Sequence, residues 1–250
     1  MNPEFALNSS KRLPIVFVLD VSVSMKRKNK DGGASSIELL NKSVASFIEE
    51  LKSNQKIRAC AEISFITFAG RIIDNTKFTT VNKIEAPVFE TVQGLTKTGG
   101  AVLEAIDKIT NRIEAYENNR IPYYAPFLVI ITDGNPDEND DPVISRRAVE
   151  AVNSHCRSRS GAKNIIVPFV IGIGEEVNAK ALTEYSSGFT NGFFHIKGDS
   201  AVVATKFNKV FRLIGNSVSK SVDLNSANSI DVVEPLRVVM NDVIEDLNNT

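Results

Sequence analysis

The chain has 250 residues, of which 42% are hydrophobic and 24% charged, with a formal net charge of −1. That length holds one large α/β domain or two small ones, and the composition is that of an ordinary globular protein. The near-neutral balance excludes a globally basic nucleic-acid binder and a strongly acidic disordered tail.

The first element is Ile15 to Leu19, a continuous β-branched apolar run that reads as a strand buried on both faces. It ends in Asp20, Ser22 and Ser24, with Val21, Val23 and Met25 between them. In an extended or gently turning backbone alternate side chains point the same way, so one carboxylate and two hydroxyls converge at the strand's C-terminal end. Three oxygens without a soft ligand suit a hard divalent cation such as Mg2+. The same residue types also cap turns and helices, so this stretch alone leaves both readings open.

After Met25 the polar stretch KRKNKDGGASS reads as a loop with a basic cluster at Lys26, Arg27, Lys28 and Lys30. It is either a solvated loop or a positive rim that attracts an acidic partner. Ile37 to Leu51 has helical spacing, with Ser35 or Ser36 as N-cap and Glu38 in the first turn. Cys60 to Phe68 reads as a strand, and Arg71 to Asp74 with Thr79 to Val81 as a short return strand forming an edge hairpin. Gly99 and Gly100 open a second helix, with a stripe from Ala101 through Ile113 to Tyr116.

Pro126 to Thr132 is a second buried strand, and it also delivers an aspartate, Asp133. In doubly wound sheets ligands bind at such strand ends, where the strand order reverses. A helix over Pro142 to Arg157 follows, then a third buried strand over Asn164 to Ile173. Pro168 lies inside that strand and requires a bulge or local irregularity. Gly172 and Gly174 begin a GxGxxG pattern that lacks its last glycine, which argues against a dinucleotide site. A short helix over Asn178 to Ser186, a strand over Phe193 to Ile196 and a helix over Ala201 to Ser217 close the domain.

The predicted fold class is α/β: a central, mostly parallel six-stranded sheet with one antiparallel edge strand and helices on both faces. Residues 1–12 read as a flexible N-terminal segment, 13–222 as the domain, and 223–250 as a linker with a C-terminal amphipathic helix. The apolar stripe of that helix, including Leu236, Met240, Ile244 and Leu247, docks either on its own domain or on a partner. Cys60 and Cys156 lack metal-ligand spacing and read as buried thiols of a reducing compartment. The opening MNPEFALNSSKR lacks the apolar core of a signal peptide, so the expected location is the cytoplasm, with no membrane and no nucleic-acid contact.

Three pieces together resemble the von Willebrand factor A (vWA) domain superfamily: DVSVSM at 20–25, TDGNP at 132–136, and VIGIGEEV at 170–177 followed by FFHI at 193–196. Within it, RLPIVFVLDVS, AEISFITF and FNKVFRLIGNSVSKSV are most similar to small bacterial cytoplasmic TerY-type proteins. Those belong to tellurite-resistance and stress gene clusters that also encode a kinase and a phosphatase. The resemblance implies a Rossmann-like fold and a metal-ion-dependent adhesion site (MIDAS). Its ligands would be Asp20, Ser22, Ser24 and Asp133, holding Mg2+, with Mn2+ or Ca2+ as alternatives. The family's further threonine aligns with Gly100, which has no hydroxyl, so Thr98, Thr96 or a water would supply that oxygen.

The implied function is non-enzymatic: a monomeric interaction module whose cation accepts an Asp or Glu carboxylate from a partner protein, such as a kinase or phosphatase of the same system. The alternatives are a metal-free scaffold that kept the fold and lost the site, and a metal-dependent phosphatase with Asp20 as nucleophile. The last is disfavoured because the second acidic residue such phosphatases use falls at Ser22.

Overall fold

The structure is a computed structural model, and it describes residues 10–28, 31–74, 76–134, 141–156, 165–223 and 230–249. Chain order gives β1 (Leu13–Asp20), a 3-10 turn (Val23–Lys26), α1 (Ser36–Ser53), α2 (Gln55–Cys60), β2 (Ala61–Phe68), β3 (Ile72–Asp74) and β4 (Thr79–Thr80). There follow α3 (Thr98–Asn118), β5 (Phe127–Thr132), α4 (Pro142–Cys156), β6 (Val167–Ile173), α5 (Ala179–Ser186), β7 (Phe194–Ile196), α6 (Ser200–Asp223) and α7 (Ile230–Asn249).

The sheet order is β3-β2-β1-β5-β6-β7, with β4 also paired to β2. β1 runs parallel to β2 and β5, and β6 and β7 extend the parallel run. The chain therefore winds outward from β1 in both directions, and the order reverses between β1 and β5. All eight β1 residues are buried, as a strand covered by helices on both faces must be.

Register divides the core into two faces. Phe17 lies opposite Phe65 on β2, and Val129 on β5 lies opposite both Phe17 and Phe169. This face packs on α1 and α6: the Phe17 ring centroid is 5.7 Å from Phe47 and 6.1 Å from Phe211. Such aromatic contacts add about 0.5–1.5 kcal/mol each beyond their buried area. The other face carries Glu62, which bonds Arg112 and Tyr116 of α3. α3 therefore covers that face, with α4 packed beside it.

Several sequence expectations change. Two short segments, β3 and β4, pair antiparallel with β2 and not with each other. Together they form the expected return strand at the sheet edge, interrupted into two pieces, so the sheet has seven strands in six positions. Between them Thr76 replaces the missing ladder: its Oγ1 accepts the Phe65 N–H at 2.9 Å and its carbonyl accepts the Ser64 hydroxyl at 2.7 Å. Cys60 ends α2 instead of opening β2, because Asn54 caps a short helix by accepting the Lys56 and Ile57 N–H groups.

No bulge is needed at Pro168, which pairs in register with Leu128. The Val167 N–H points to β5, where it reaches the Pro126 carbonyl at 2.8 Å. N–H direction alternates along a strand, so the nitrogen of Pro168 faces the β7 side. β7 pairing starts only at Ile171, so no ladder bond is lost.

Arg12, assigned by the sequence to a flexible segment, is 2% exposed and pairs with Glu62 at 3.3 Å. Residues 1–9, Lys30, Asn135 and Pro136, Arg157, Asn164 and the 224–229 linker lie outside the described residues. α6 runs past Ser217 to Asp223. α7 buries Leu236, Met240, Ile244 and Leu247 against β7 and α6. Asn248 Oδ1 also accepts the His195 N–H at 3.3 Å, and Lys206 donates to the Leu247 carbonyl at 3.1 Å. α7 thus shields a sheet edge that would otherwise present free backbone groups. Both thiols are buried, and desolvation pushes Cys60 up to about 11 and Cys156 up to about 12, which leaves them protonated.

Candidate metal site

The strand order reverses beside β1, and the two strand-end aspartates lie on the two sides of that point. Leu19 pairs with Ile131, so Asp20 sits beside Thr132 and one residue from Asp133 in register. Asp20 has no exposed surface, and its carboxylate accepts two hydrogen bonds. The Ser22 N–H reaches Oδ1 at 2.8 Å and the Thr132 hydroxyl reaches Oδ2 at 2.6 Å. The turn that brings Ser22 back onto Asp20 continues into the 3-10 turn, which carries Ser24.

Ser24 donates to Asp133 Oδ1 at 2.7 Å, and the Ser22 and Ser24 hydroxyls are 2.7 Å apart. Each hydroxyl has one proton. With that of Ser24 on Asp133, Ser22 is the donor to Ser24. Asp20, Ser22, Ser24 and Asp133 thus form one connected group of oxygens across two strand ends, as their spacing predicts.

The cluster is electrostatically costly as it stands. Burial is the main cause raising the pKa of Asp20, and hydrogen bonds from Ser22 and Thr132 offset it only in part. Asp133 is pushed up to about 7 by burial first and by the Asp20 charge second. A buried carboxylate pair is what a cation would relieve. Among the described residues, no group of three His, Cys, Asp or Glu gathers to hold a metal, so any ion here relies on hydroxyls as well.

The third loop is held by a close backbone approach. Gly94, at φ 134°, lies against Gly70, where a Cβ would come within 2.2 Å of the Gly70 Cα. From there the chain runs through Thr96 to Thr98, the first residue of α3. Thr98 is fully buried, and its Oγ1 has no hydrogen-bond partner. An orphaned buried hydroxyl costs about 1–3 kcal/mol and calls for a ligand or water. A Cβ at Gly134 would stand 3.7 Å from both Asp20 Oδ2 and Thr96 Oγ1. Thr96 therefore belongs to the same space as Asp20. A Cβ at Gly100 would meet Ile72 at 2.8 Å, so position 100 faces the sheet edge and supplies no ligand. The donor set, oxygen alone, fits a hard divalent cation.

Sequence reasoning missed Thr132, which reads only as a strand-forming residue. Its hydroxyl donates to Asp20 and accepts the Gly134 N–H at 3.2 Å, fixing both neighbours of the cluster. Thr132→Val keeps the shape and removes that bond. We expect cation affinity to fall about 10-fold, measured by titration calorimetry, because partners that orient metal ligands commonly carry 10–100-fold.

The oxygen cluster lies at the crossover of a doubly wound α/β sheet, the place where such sheets bind ligands. The family description of the von Willebrand factor type A domain matches residues 15–209, and the chain belongs to that family. No curated protein matches it significantly. Solved structures share the fold. A von Willebrand factor type A protein from Catenulispora acidiphila superposes with a TM-score of 0.53 at 14% identity, covering 83% of this chain and 43% of that one. Proximal thread matrix protein 1 from the mussel byssus, solved with a zinc-occupied MIDAS motif, gives 0.53 at 14%, covering 84% and 47%. BatB from Bacteroides thetaiotaomicron gives 0.52 at 16%, covering 84% and 99%. The chain spans less than half the length of the first two. No helix among the described residues is long and apolar enough to cross a membrane.

Proposed function

We propose that this chain is a metal-dependent protein–protein interaction module. Asp20, Ser22, Ser24 and Asp133 would hold a divalent cation, with Thr98 or Thr96 completing the set. Mg2+ fits best because all the donors are hard oxygens, and Mn2+ and Ca2+ share that chemistry. The observation that carries this reading is the connection of the two strand-end carboxylates, Asp20 and Asp133, through Ser22 and Ser24. The bound cation would supply an open position for a carboxylate from another protein. Ser22, Ser24 and Thr98 would coordinate through neutral hydroxyls, which leave the ion net positive and attractive to that acid.

We further propose that the chain binds without catalysing a reaction. The residue two beyond Asp20, where an acid/base carboxylate would serve a phosphatase, is Ser22, and its hydroxyl is occupied by Ser24. The finer assignment is to the TerY type, acting in the cytoplasm with an acidic kinase or phosphatase partner. It rests on the segments RLPIVFVLDVS, AEISFITF and FNKVFRLIGNSVSKSV. Capture of a partner by the immobilised protein is expected to need Mg2+, and to be lost with EDTA and with Asp20→Ala. Equal capture by wild type in EDTA would favour the metal-free scaffold.

A further inference from the structure

Residues 81–97, between β4 and α3, form neither helix nor strand, yet they lead to Thr96 and Thr98. Asn41 of α1 grips this stretch by two hydrogen bonds. Its Oδ1 accepts the Phe89 N–H at 2.8 Å, and its Nδ2 donates to the Phe89 carbonyl at 2.9 Å. One side-chain amide thus does for Phe89 what a neighbouring strand would do. The Phe89 ring is buried, with its centroid 5.4 Å from that of Phe65 on β2. Further on, the Val92 N–H donates to the Val21 carbonyl at 2.7 Å, and Gly94 then lies against Gly70.

α1 is also tied to the turn that carries Ser22 and Ser24. The Arg27 N–H donates to the Ser24 carbonyl at 2.8 Å, and the Ser36 N–H donates to the Arg27 carbonyl at 3.3 Å. Ser35 and Glu38 fix the start of the helix, because Glu38 accepts both the N–H and the hydroxyl of Ser35. α1 is therefore a common frame for two of the loops that bring oxygens to the cluster. Any buried backbone needs a partner. A partner on this helix also sets the spacing between those two loops.

We propose that Asn41 is a positioning residue for the metal site: through Phe89 it holds the loop of Thr96 and Thr98 at a fixed place relative to the Ser22–Ser24 turn. This role deepens the metal-dependent reading given above and rests on it. The consequence is selectivity for a small ion. Mg2+ demands near-ideal octahedral geometry at about 2.0–2.1 Å, whereas Ca2+ accepts variable oxygen sets at about 2.3–2.6 Å. A loop held in place favours the first, and a loosened loop penalises it more than the second.

The test is calorimetric titration of Mg2+ and of Ca2+ into wild type and Asn41→Ala, with amide hydrogen exchange of wild type in EDTA and in Mg2+. Asn41→Ala is expected to bind Mg2+ about 10-fold more weakly, the lower end of the effect of groups that orient metal ligands. Its loss toward Ca2+ should stay below about threefold. In wild type the Phe89 and Val92 amides should be protected already in EDTA and gain little with Mg2+, since their bonds exist before the ion arrives. A Mg2+ loss below about twofold, or an equal loss toward both ions, overturns the inference and leaves the metal reading standing. Protection of Phe89 and Val92 that appears only with Mg2+ also overturns it, and that result is read on the unaltered chain whether or not the variant folds. Binding of neither ion by wild type overturns the underlying reading, and the inference with it.

Discussion

Asp20→Asn is expected to stabilise the metal-free protein and to erase its response to Mg2+. Asp20 has no exposed surface, and its charge is one cause of the raised pKa of Asp133. Asparagine keeps the side-chain shape. Its oxygen can still accept the Ser22 N–H, and the Thr132 hydroxyl can rotate to meet the new amide. What disappears is a buried charge beside a second carboxylate. Removing one of two like charges relieves their repulsion and the desolvation of Asp20, so the melting midpoint in EDTA should rise, by about 2–4 °C for each kcal/mol gained. The same substitution removes the anionic oxygen at the centre of the cluster. A variant that melts higher without metal and ignores added metal would carry the signature of a site where stability is exchanged for binding. A midpoint below that of wild type in EDTA would show that the Asp20 charge is compensated within the chain.

The second large effect lies at the opposite end of the sheet. Glu62 is 2% exposed and holds three groups: Arg12 at 3.3 Å, Arg112 at 2.6 Å and the Tyr116 hydroxyl at 2.5 Å. Burial first, and the Glu62 charge second, push the Tyr116 phenol well above its ordinary pKa, so it remains a donor. Through Arg12 the cluster fixes the start of β1, and through Arg112 and Tyr116 it fixes α3 to β2. Glu62→Ala takes the shared carboxylate away from two guanidinium groups and a phenol. Removing one partner of a buried pair costs about 3–5 kcal/mol, a third or more of the stability of a typical domain. Urea unfolding should show this as a lower midpoint with an unchanged slope. Glu62 stands at the N-terminal end of β2, and the oxygen cluster stands at the C-terminal ends of β1 and β5. The folded variant should therefore keep its Mg2+ response. A loss below about 1 kcal/mol would mean that water or another acid satisfies the arginines.

The two effects separate what the sequence made legible from what it hid. Asp20, Ser22 and Ser24 were readable from their alternation, although it is the turn after Asp20 and the 3-10 turn carrying Ser24, not the period of a strand, that bring them together. Asp133 was readable because a second apolar run stops at it. The α/β class with mostly parallel strands followed from alternation of strands and helices, and the structure added the strand order and its reversal beside β1. Thr96 and Thr98 remained undecided because a loop has no period. The choice between them depends on the Gly70–Gly94 contact, which joins residues far apart in the chain. Thr132 was hidden because its hydroxyl matters only through Asp20, on a neighbouring strand. Arg12 looked like part of a polar tail until Glu62 supplied its partner. α2 is too short to show periodicity, and only Asn54 marked it. For Thr132 and Arg12 the missing information is a contact between strands, which no local pattern encodes.

The most direct measurement is the thermal unfolding midpoint of wild type and Asp20→Asn in EDTA, then in rising Mg2+ and Mn2+. A ligand that binds only the folded state stabilises it by about 2.7 kcal/mol at 100 times its dissociation constant. For a chain of this size that corresponds to roughly 5–10 °C. The account predicts a concentration-dependent rise of that order in wild type and none in Asp20→Asn. An unchanged midpoint in wild type at millimolar concentrations of both metals, or an equal rise in the variant, would contradict it.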